Sequence, residues 1–317
     1  MRFCVEAIPG TKFNSMDDVK NPMIHNNMFF VQKFNTILAQ AITPIIPTIV
    51  AAGYQDLYDV TQVGYGDNAR YTVESNELFI VNDLAEGILR GGVQADYATE
   101  YSVQAHRRQI AVFVDWYQVA AGKVNWGERV NKIGASYAAY VQGLVVKAMA
   151  SSITNAADHG ISGYIANGMS DTNWLTTARN VELANGGARV YALGTKIALS
   201  EVLPAESAVS GFRYGENSAI VRDGFLPTYK DVPLIELGNA LVPNTINGTP
   251  EVVVPDDFIY MVPMGMHKPV KVVIEGDTVS VEKDQTQNAD HGIWLSVDIR
   301  IGADVVVGSK FGAIQLT

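Results

Sequence analysis

An α+β fold is what this chain predicts, and three stretches predict it. Residues 125–152 (NWGERVNKIGASYAAYVQGLVVKAMASS) read as one long amphipathic helix, residues 60–104 as an excursion of short strands, and residues 269–301 as the clearest strand pattern of all. In the helix, Val130, Ile133, Tyr137, Tyr140, Val141, Leu144 and Ala148 recur at three- and four-residue steps and so share a face. Glu128, Arg129, Lys132, Gln142 and Lys147 fall largely elsewhere. Asn125 followed by Glu128 has the form of a capping box, which places the helix start. At 1.5 Å per residue the rod is about 40 Å long, more than an ordinary domain needs.

The remaining elements follow in chain order. Residues 1–25 mix Pro, Gly and Asn with short apolar patches and read as an extended arm, ordered only against a partner surface. Asn26–Thr43 predicts an amphipathic helix with Phe30, Phe34, Ile37, Leu38 and Ala41 on one side, stopped by Pro44 and Pro47. Strands are expected at Leu57–Val63, Arg70–Glu74, Glu77–Val81, Tyr97–Gln104 and Gln109–Val114. A hairpin of this kind is marginal in free water, so it implies a surface to lie on. Residues 155–190 read as loop with short helical turns, and a domain boundary is expected there. Val190–Leu193 and Ile259–Val262 read as strands and Thr195–Val202 as helix, within a second, compact α/β domain. Pro269–Ile274, Gly276-Asp277 and Thr278–Glu282 predict a hairpin around a Gly-Asp turn. Ile293–Ile301 alternates strictly, with Ile293, Leu295, Val297, Ile299 and Ile301 on one face and Trp294, Ser296, Asp298 and Arg300 on the other. A sheet with one buried and one wet face needs a cover, and the long helix supplies it.

Composition narrows the function classes. With 317 residues, 48% hydrophobic and 18% charged, the chain can bury a large core and carries only modest surface charge. Its 23 basic and 33 acidic residues give a net charge of −10, which argues against strong electrostatic binding of nucleic acid. Cys4 stands alone, so no intrachain disulfide framework exists, and a reducing cytoplasm suits it. No secretion signal opens the sequence, and its apolar runs are too short to span a bilayer.

Motifs for chemistry are weak. Gly64-Tyr65-Gly66-Asp67-Asn68-Ala69 fits a loose dinucleotide fingerprint, but a strand follows where a helix is required, so a hairpin turn is the better reading. His25, His106, His159, His267 and His291 show no metal-binding spacing. Asp284–Gly292 lacks the positions of a calcium loop and reads as a polar connection. No nucleophile–base arrangement is visible, so no catalytic, cofactor or metal site is expected. His106-Arg107-Arg108 is the only basic cluster, suited to a strand end or a salt bridge between subunits.

The order of arm, short helix, projecting strands, return strand, long helix, compact α/β domain and long antiparallel strands resembles the major capsid protein of tailed bacteriophages, the Hong Kong phage capsid fold. The local stretches GFLPTYKDVPLIEL (224–237), FIYMVPMGMHKPVKVVIEGDTVSVEK (258–283) and GADVVVGSKFGAIQL (302–316) strengthen the likeness. The resemblance implies an N-arm at 1–25, an extended E-loop β-hairpin at 60–104 and a spine helix at 126–152. It implies a peripheral domain built from 26–59, 105–158 and 263–304, and an axial domain from 159–262 and 305–317, to which Phe311–Leu316 returns. It also implies a shell protein that self-assembles into hexamers and pentamers around phage double-stranded DNA, without sequence-specific binding and without a membrane. Its implied partners are further copies of itself, a scaffolding protein, a portal and decoration proteins. Many members of the family begin with a removable scaffolding segment of about a hundred residues. The sequence given starts directly in the arm, so the resemblance implies a separate scaffolding protein, or a processed or truncated form of a longer chain. Arg70, Glu74, Glu77, Arg107 and Arg108 are the candidates for assembly contacts, and glycines such as Gly64 and Gly66 would let the arm change angle. Two alternatives stand beside this reading. One is an encapsulin-type nanocompartment shell, which predicts a co-purifying enzyme. The other is a cytoplasmic α/β enzyme, which predicts a discrete soluble oligomer with a ligand-filled pocket.

Overall fold

The computed structural model describes residues 57–75, 77–83, 92–115, 123–202, 227–245, 247–281 and 292–316, with a few isolated positions between them. The expectations for residues 1–56 and for the polar connection 284–291 lie outside the described residues. The strands are β1 (Tyr58–Val63), β2 (Ala69–Val73), β3 (Thr99–Val103), β4 (His106–Asp115), β5 (Ile165–Asn167), β6 (Val190–Gly194), β7 (Thr228–Tyr229), β8 (Val232–Glu236), β9 (Phe258–Pro263), β10 (Val270–Val281), β11 (Gly292–Val305) and β12 (Gly312–Gln315). The helices are α1 (Trp126–Thr154), α2 (Asp171–Ala184) and α3 (Lys196–Ser200).

Helix α1 begins where its cap dictates. The Asn125 Oδ1 accepts from the Gly127 N–H at 3.1 Å, and Glu128 sits in the first turn beside the positive end of the helix dipole. Its core face runs Val130, Ile133, Tyr137, Val141, Val145, Met149 and Ile153, with Tyr140, Leu144 and Ala148 half-buried at its edge. The steps are mostly four residues, and each overshoots a full turn, so the stripe winds roughly 140° around the rod. This drift is why Val145 and Met149 lie deep in the core although a straight stripe leaves them out.

The N-terminal part of the stripe covers a four-stranded sheet of order β1-β10-β11-β4, with β1 parallel to β10 and the other pairs antiparallel. Val297, Ile299 and Ile301 face the helix, as the alternation predicts, together with Val270, Val272 and Ile274. The Tyr137 hydroxyl donates to the Val297 carbonyl at 2.6 Å, and burial pushes the Tyr137 phenol up to about 12. The opposite face is polar but not all wet: Lys271, Glu275 and Asp298 are buried there in ion pairs.

Three sequence expectations need correction here. Val270–Val281 is one strand running through Gly276-Asp277, not a hairpin, because its partner is β11; a bulge between Glu275 and Val279 absorbs the Gly-Asp pair. Residues 171–184 form a regular helix where loop was expected, with Ser170 Oγ accepting from the Asn173 N–H at 3.1 Å. Trp174, Ala178 and Val181 supply the buried face that the polar composition of this stretch concealed. The run Glu77–Val81 forms no strand within the chain.

The second sheet has the order β5-β12-β9-β6-β8-β7, mixing parallel and antiparallel pairs. Helix α2 packs on it through Trp174, whose ring meets Tyr229 edge-on at 5.4 Å. Asn185 ends α2 and ties the last strand to it: its Nδ2 donates to the Lys310 carbonyl at 2.7 Å, and the Lys310 N–H donates back to its Oδ1 at 3.0 Å. The two sheets are not separate cores. One apolar cluster joins Ile153 and Met149 of α1 and the first sheet to Tyr191, Leu193, Tyr260, Val262 and Phe311 of the second.

Candidate assembly surface

The described parts of 64–105 form two legs, one leaving the four-stranded sheet after β1 and one returning to it before β4. The outgoing leg turns at Gly64–Asp67, where the Asp67 N–H donates to the Gly64 carbonyl at 3.2 Å. This is a corner and not a hairpin turn, because β1 pairs with β10 whereas β2 pairs with β3. The Gly66 N–H donates to Glu275 Oε1 at 2.9 Å, and the Arg300 guanidinium reaches the same carboxylate at 3.1 and 3.3 Å. The Gly66 N–H, aided by Arg300 and opposed by desolvation, holds the Glu275 carboxyl below its usual range.

Two glycines of the sheet set how closely the arm can lie. A Cβ on Gly276 would stand 2.3 Å from the Tyr65 ring, and one on Gly302 would stand 2.0 Å from the Gln104 carbonyl oxygen. Both legs of the arm therefore rest where the sheet has no side chain. The β2–β3 hairpin is seated by Ala69 and Val103 against Val273 and Val306. The Tyr71 hydroxyl donates to Thr61 at 2.9 Å, and the Lys271 ammonium lies 6.0 Å from the Tyr71 ring centre. Lys271 and Lys268 also hold Asp59 ionised below its usual range against the opposing effect of its burial.

Beyond the hairpin the arm changes character. Leu78, Phe79, Ile80 and Val81 stand 94, 63, 72 and 92% exposed, and Val93 and Tyr97 are as open. Gln94 holds the legs together by a side-chain imitation of strand pairing: its Oε1 accepts from the Ile80 N–H at 2.8 Å, and its Nε2 donates to the Ile80 carbonyl at 2.6 Å. An unbroken apolar row in water, on a projection held by a fixed base, is a surface for a macromolecular partner. The described residues contain no group of three potential metal ligands and no helix long and apolar enough to cross a membrane.

The model of the family described as "SPbeta prophage-derived putative capsid protein YonB" matches residues 11–315. The chain belongs to this capsid-protein family. It is a structural protein that forms capsids. No curated protein sequence matches the chain. Solved structures share its fold at low identity. Microbacterium phage Oxtober96 aligns with a TM-score of 0.54 at 12% identity, over 82% of this chain and 90% of that one. The asymmetric unit of the bacteriophage PhiM1 mature capsid gives 0.54 at 10%, over 83% and 86%. The capsid structure of cyanophage P-SCSP1u gives 0.50 at 12%, over 83% and 86%. These likenesses bear out the phage-capsid fold expected from the element order.

The five charged residues named from the sequence separate into two groups. Arg70 and Glu74 lie exposed on or beside β2, Arg70 within 3.9 Å of Glu100, and Glu77 opens the apolar leg. Arg107 and Arg108 are exposed too, but each has a partner within the subunit. Arg107 pairs with the buried Asp298, and the Arg108 guanidinium lies 5.6 Å from the Tyr140 ring centre on α1. Sequence reading missed Glu275, Gly276 and Gly302, which seat the arm. Nothing local marks them, since each matters only through residues far away in the chain. The Leu78–Val81 row was legible as apolar, and its lack of alternation was the available sign that it is no half-buried strand.

Proposed function

We propose that this capsid protein assembles into hexamers and pentamers that close an icosahedral phage head around double-stranded DNA, and that it acts without catalysis. The exposed row Leu78–Val81 on a seated arm is the observation that carries the reading: it is surface a shell contact would bury and a monomer would not leave bare. In this reading residues 60–104 are the E-loop, α1 is the spine of a peripheral tile, and the six-stranded sheet is the axial domain at the capsomer centre. Residues 1–25 are the N-arm. Overlapping arms let each subunit bury far more than the ~1,600 Å² of a standard pairwise interface. Arg70, Glu74 and Glu77 act in contacts between subunits, and Arg107 and Arg108 act on assembly through the sheet they brace. The head encloses DNA without gripping it, in keeping with a net charge of −10. Scaffolding, portal and decoration proteins are its further partners, host cytoplasm is the place of assembly, and the virion is its destination. Negative-stain microscopy of the purified chain, alone and with its scaffolding protein, tests this: closed particles with five- and six-fold capsomers are expected, and a stable monomer under every condition overturns it.

A further inference from the structure

An asparagine followed by glycine is open to self-modification, because glycine has no Cβ to shield its backbone nitrogen from the preceding side-chain amide. This chain holds three such pairs, Asn167-Gly168, Asn185-Gly186 and Asn247-Gly248. Attack of the glycine nitrogen on the asparagine Cγ has three requirements. The amide must be free to turn, the glycine N–H free to give up its proton, and the backbone between them free to rotate. The fold decides where these are met.

Asn185 is locked. It is buried, its Nδ2 donates to the Val181 and Lys310 carbonyls, both at 2.7 Å, and its Oδ1 accepts from the Lys310 N–H at 3.0 Å. Asn167 is exposed, but its backbone is held. It lies in β5 opposite Gln315, whose carbonyl accepts from the Gly168 N–H at 2.8 Å, and its own carbonyl accepts from Asn173 Nδ2 at 3.0 Å. Asn247 differs on each count. Residues 247–252 are all exposed, and the Asn247 side chain has no hydrogen bond among the described residues. The Gly248 N–H donates to the Thr245 carbonyl, three residues back, at 3.1 Å. That bond closes a local turn and opens without parting two strands. The base of the excursion stays fixed meanwhile, because Asn239 donates to the Val254 carbonyl at 2.8 Å and accepts from the Val254 N–H at 3.0 Å.

We propose that Asn247 is a site of spontaneous covalent modification, converted to aspartate and isoaspartate through a cyclic imide. The Gly248 nitrogen bonds to the Asn247 Cγ, the Cγ–Nδ2 bond breaks, and ammonia leaves carrying the proton that the nitrogen gave up. Water then opens the ring. Opening at the former side-chain carbonyl gives aspartate; opening at the main-chain carbonyl gives isoaspartate, whose backbone runs through the former side chain. No oxidant or reductant takes part. Either product adds a negative charge to the subunit close to the exposed Glu251, so an assembly of many copies gains charge at this loop as it ages. Isoaspartate also lengthens the main chain of the tip by a methylene.

The test holds the full-length folded chain in warm, mildly alkaline buffer and samples it over weeks. Protease digests are read by mass spectrometry, and an isoaspartyl methyltransferase counts the isoaspartate. Asn247 is expected to convert first. Asn185 must release three hydrogen bonds, and at roughly fivefold each that slows it about a hundredfold against Asn247. In denaturant the three pairs should converge toward one rate, since the dipeptide is the same and only the fold separates them. Gly248→Ala isolates the chemistry. Gly248 is not at positive φ, and the new methyl finds only the Thr245 carbonyl oxygen, at 4.0 Å, so the fold is kept while conversion at Asn247 slows severalfold. A folded chain in which Asn167 or Asn185 converts as fast as Asn247 overturns the proposal, as does a Gly248→Ala chain that converts as fast as wild type.

Discussion

Ile259-Tyr260-Met261-Val262 and Leu78-Phe79-Ile80-Val81 are nearly the same kind of sequence with opposite fates. The first lies in the middle of the six-stranded sheet, no residue of it more than 2% exposed; in the second, no residue is less than 63% exposed. Composition and strand propensity do not separate them. What separates them is that the fold brings β6 and β12 to the two sides of Ile259–Val262, whereas among the described residues it brings no strand to Leu78–Val81, only the Gln94 side chain. The first completes a subunit and the second leaves it incomplete, which is how a capsid protein must be divided.

The sharpest break of this contrast is Ile259→Ala. It removes buried side-chain volume from the second sheet and should destabilise the unassembled chain by about 2–5 kcal/mol in denaturant unfolding. Gly302→Ala comes next. The new methyl meets the Gln104 carbonyl inside any allowed contact, so the arm must lift, with a loss of roughly 1–3 kcal/mol and faster proteolysis of residues 64–105. Acid should act on the same base more gently. The Glu275 carboxyl titrates below its ordinary value of 4.5, so its contribution is present above that pH and is lost as pH falls through the lowered value. Proteolysis of the arm should therefore accelerate below about pH 4.5, and Glu275→Gln should flatten that acid dependence. The smallest effect on stability belongs to Phe79→Ser, expected within about 0.5 kcal/mol of wild type. Its particle yield should nevertheless fall sharply by light scattering, and unchanged assembly would break the comparison.

Much of the fold was legible because its signals are local. The period of α1, the alternation in Val297–Ile301 and the turn residues at Gly64–Asn68 each declare an element without reference to the rest of the chain. The missed features are long-range. Gly276-Asp277 looks like a turn until β11 pairs with both of its flanks, and Asp171–Ala184 looks like loop until Trp174 finds its pocket under Tyr229. The candidate surface was legible only in its charges: all five named residues are exposed, and what the sequence did not carry is that Arg107 and Arg108 reach Asp298 and Tyr140, partners far off in sequence or on another element.

The winding stripe on α1 has a mechanical consequence. A shaft keyed at one end to one plate and further along to another cannot roll without moving both. The stripe turns as it leaves the β11 side, and its residues share one apolar cluster with Phe311, Tyr260 and Leu193 of the second sheet, so rolling the rod would disturb a core common to both sheets.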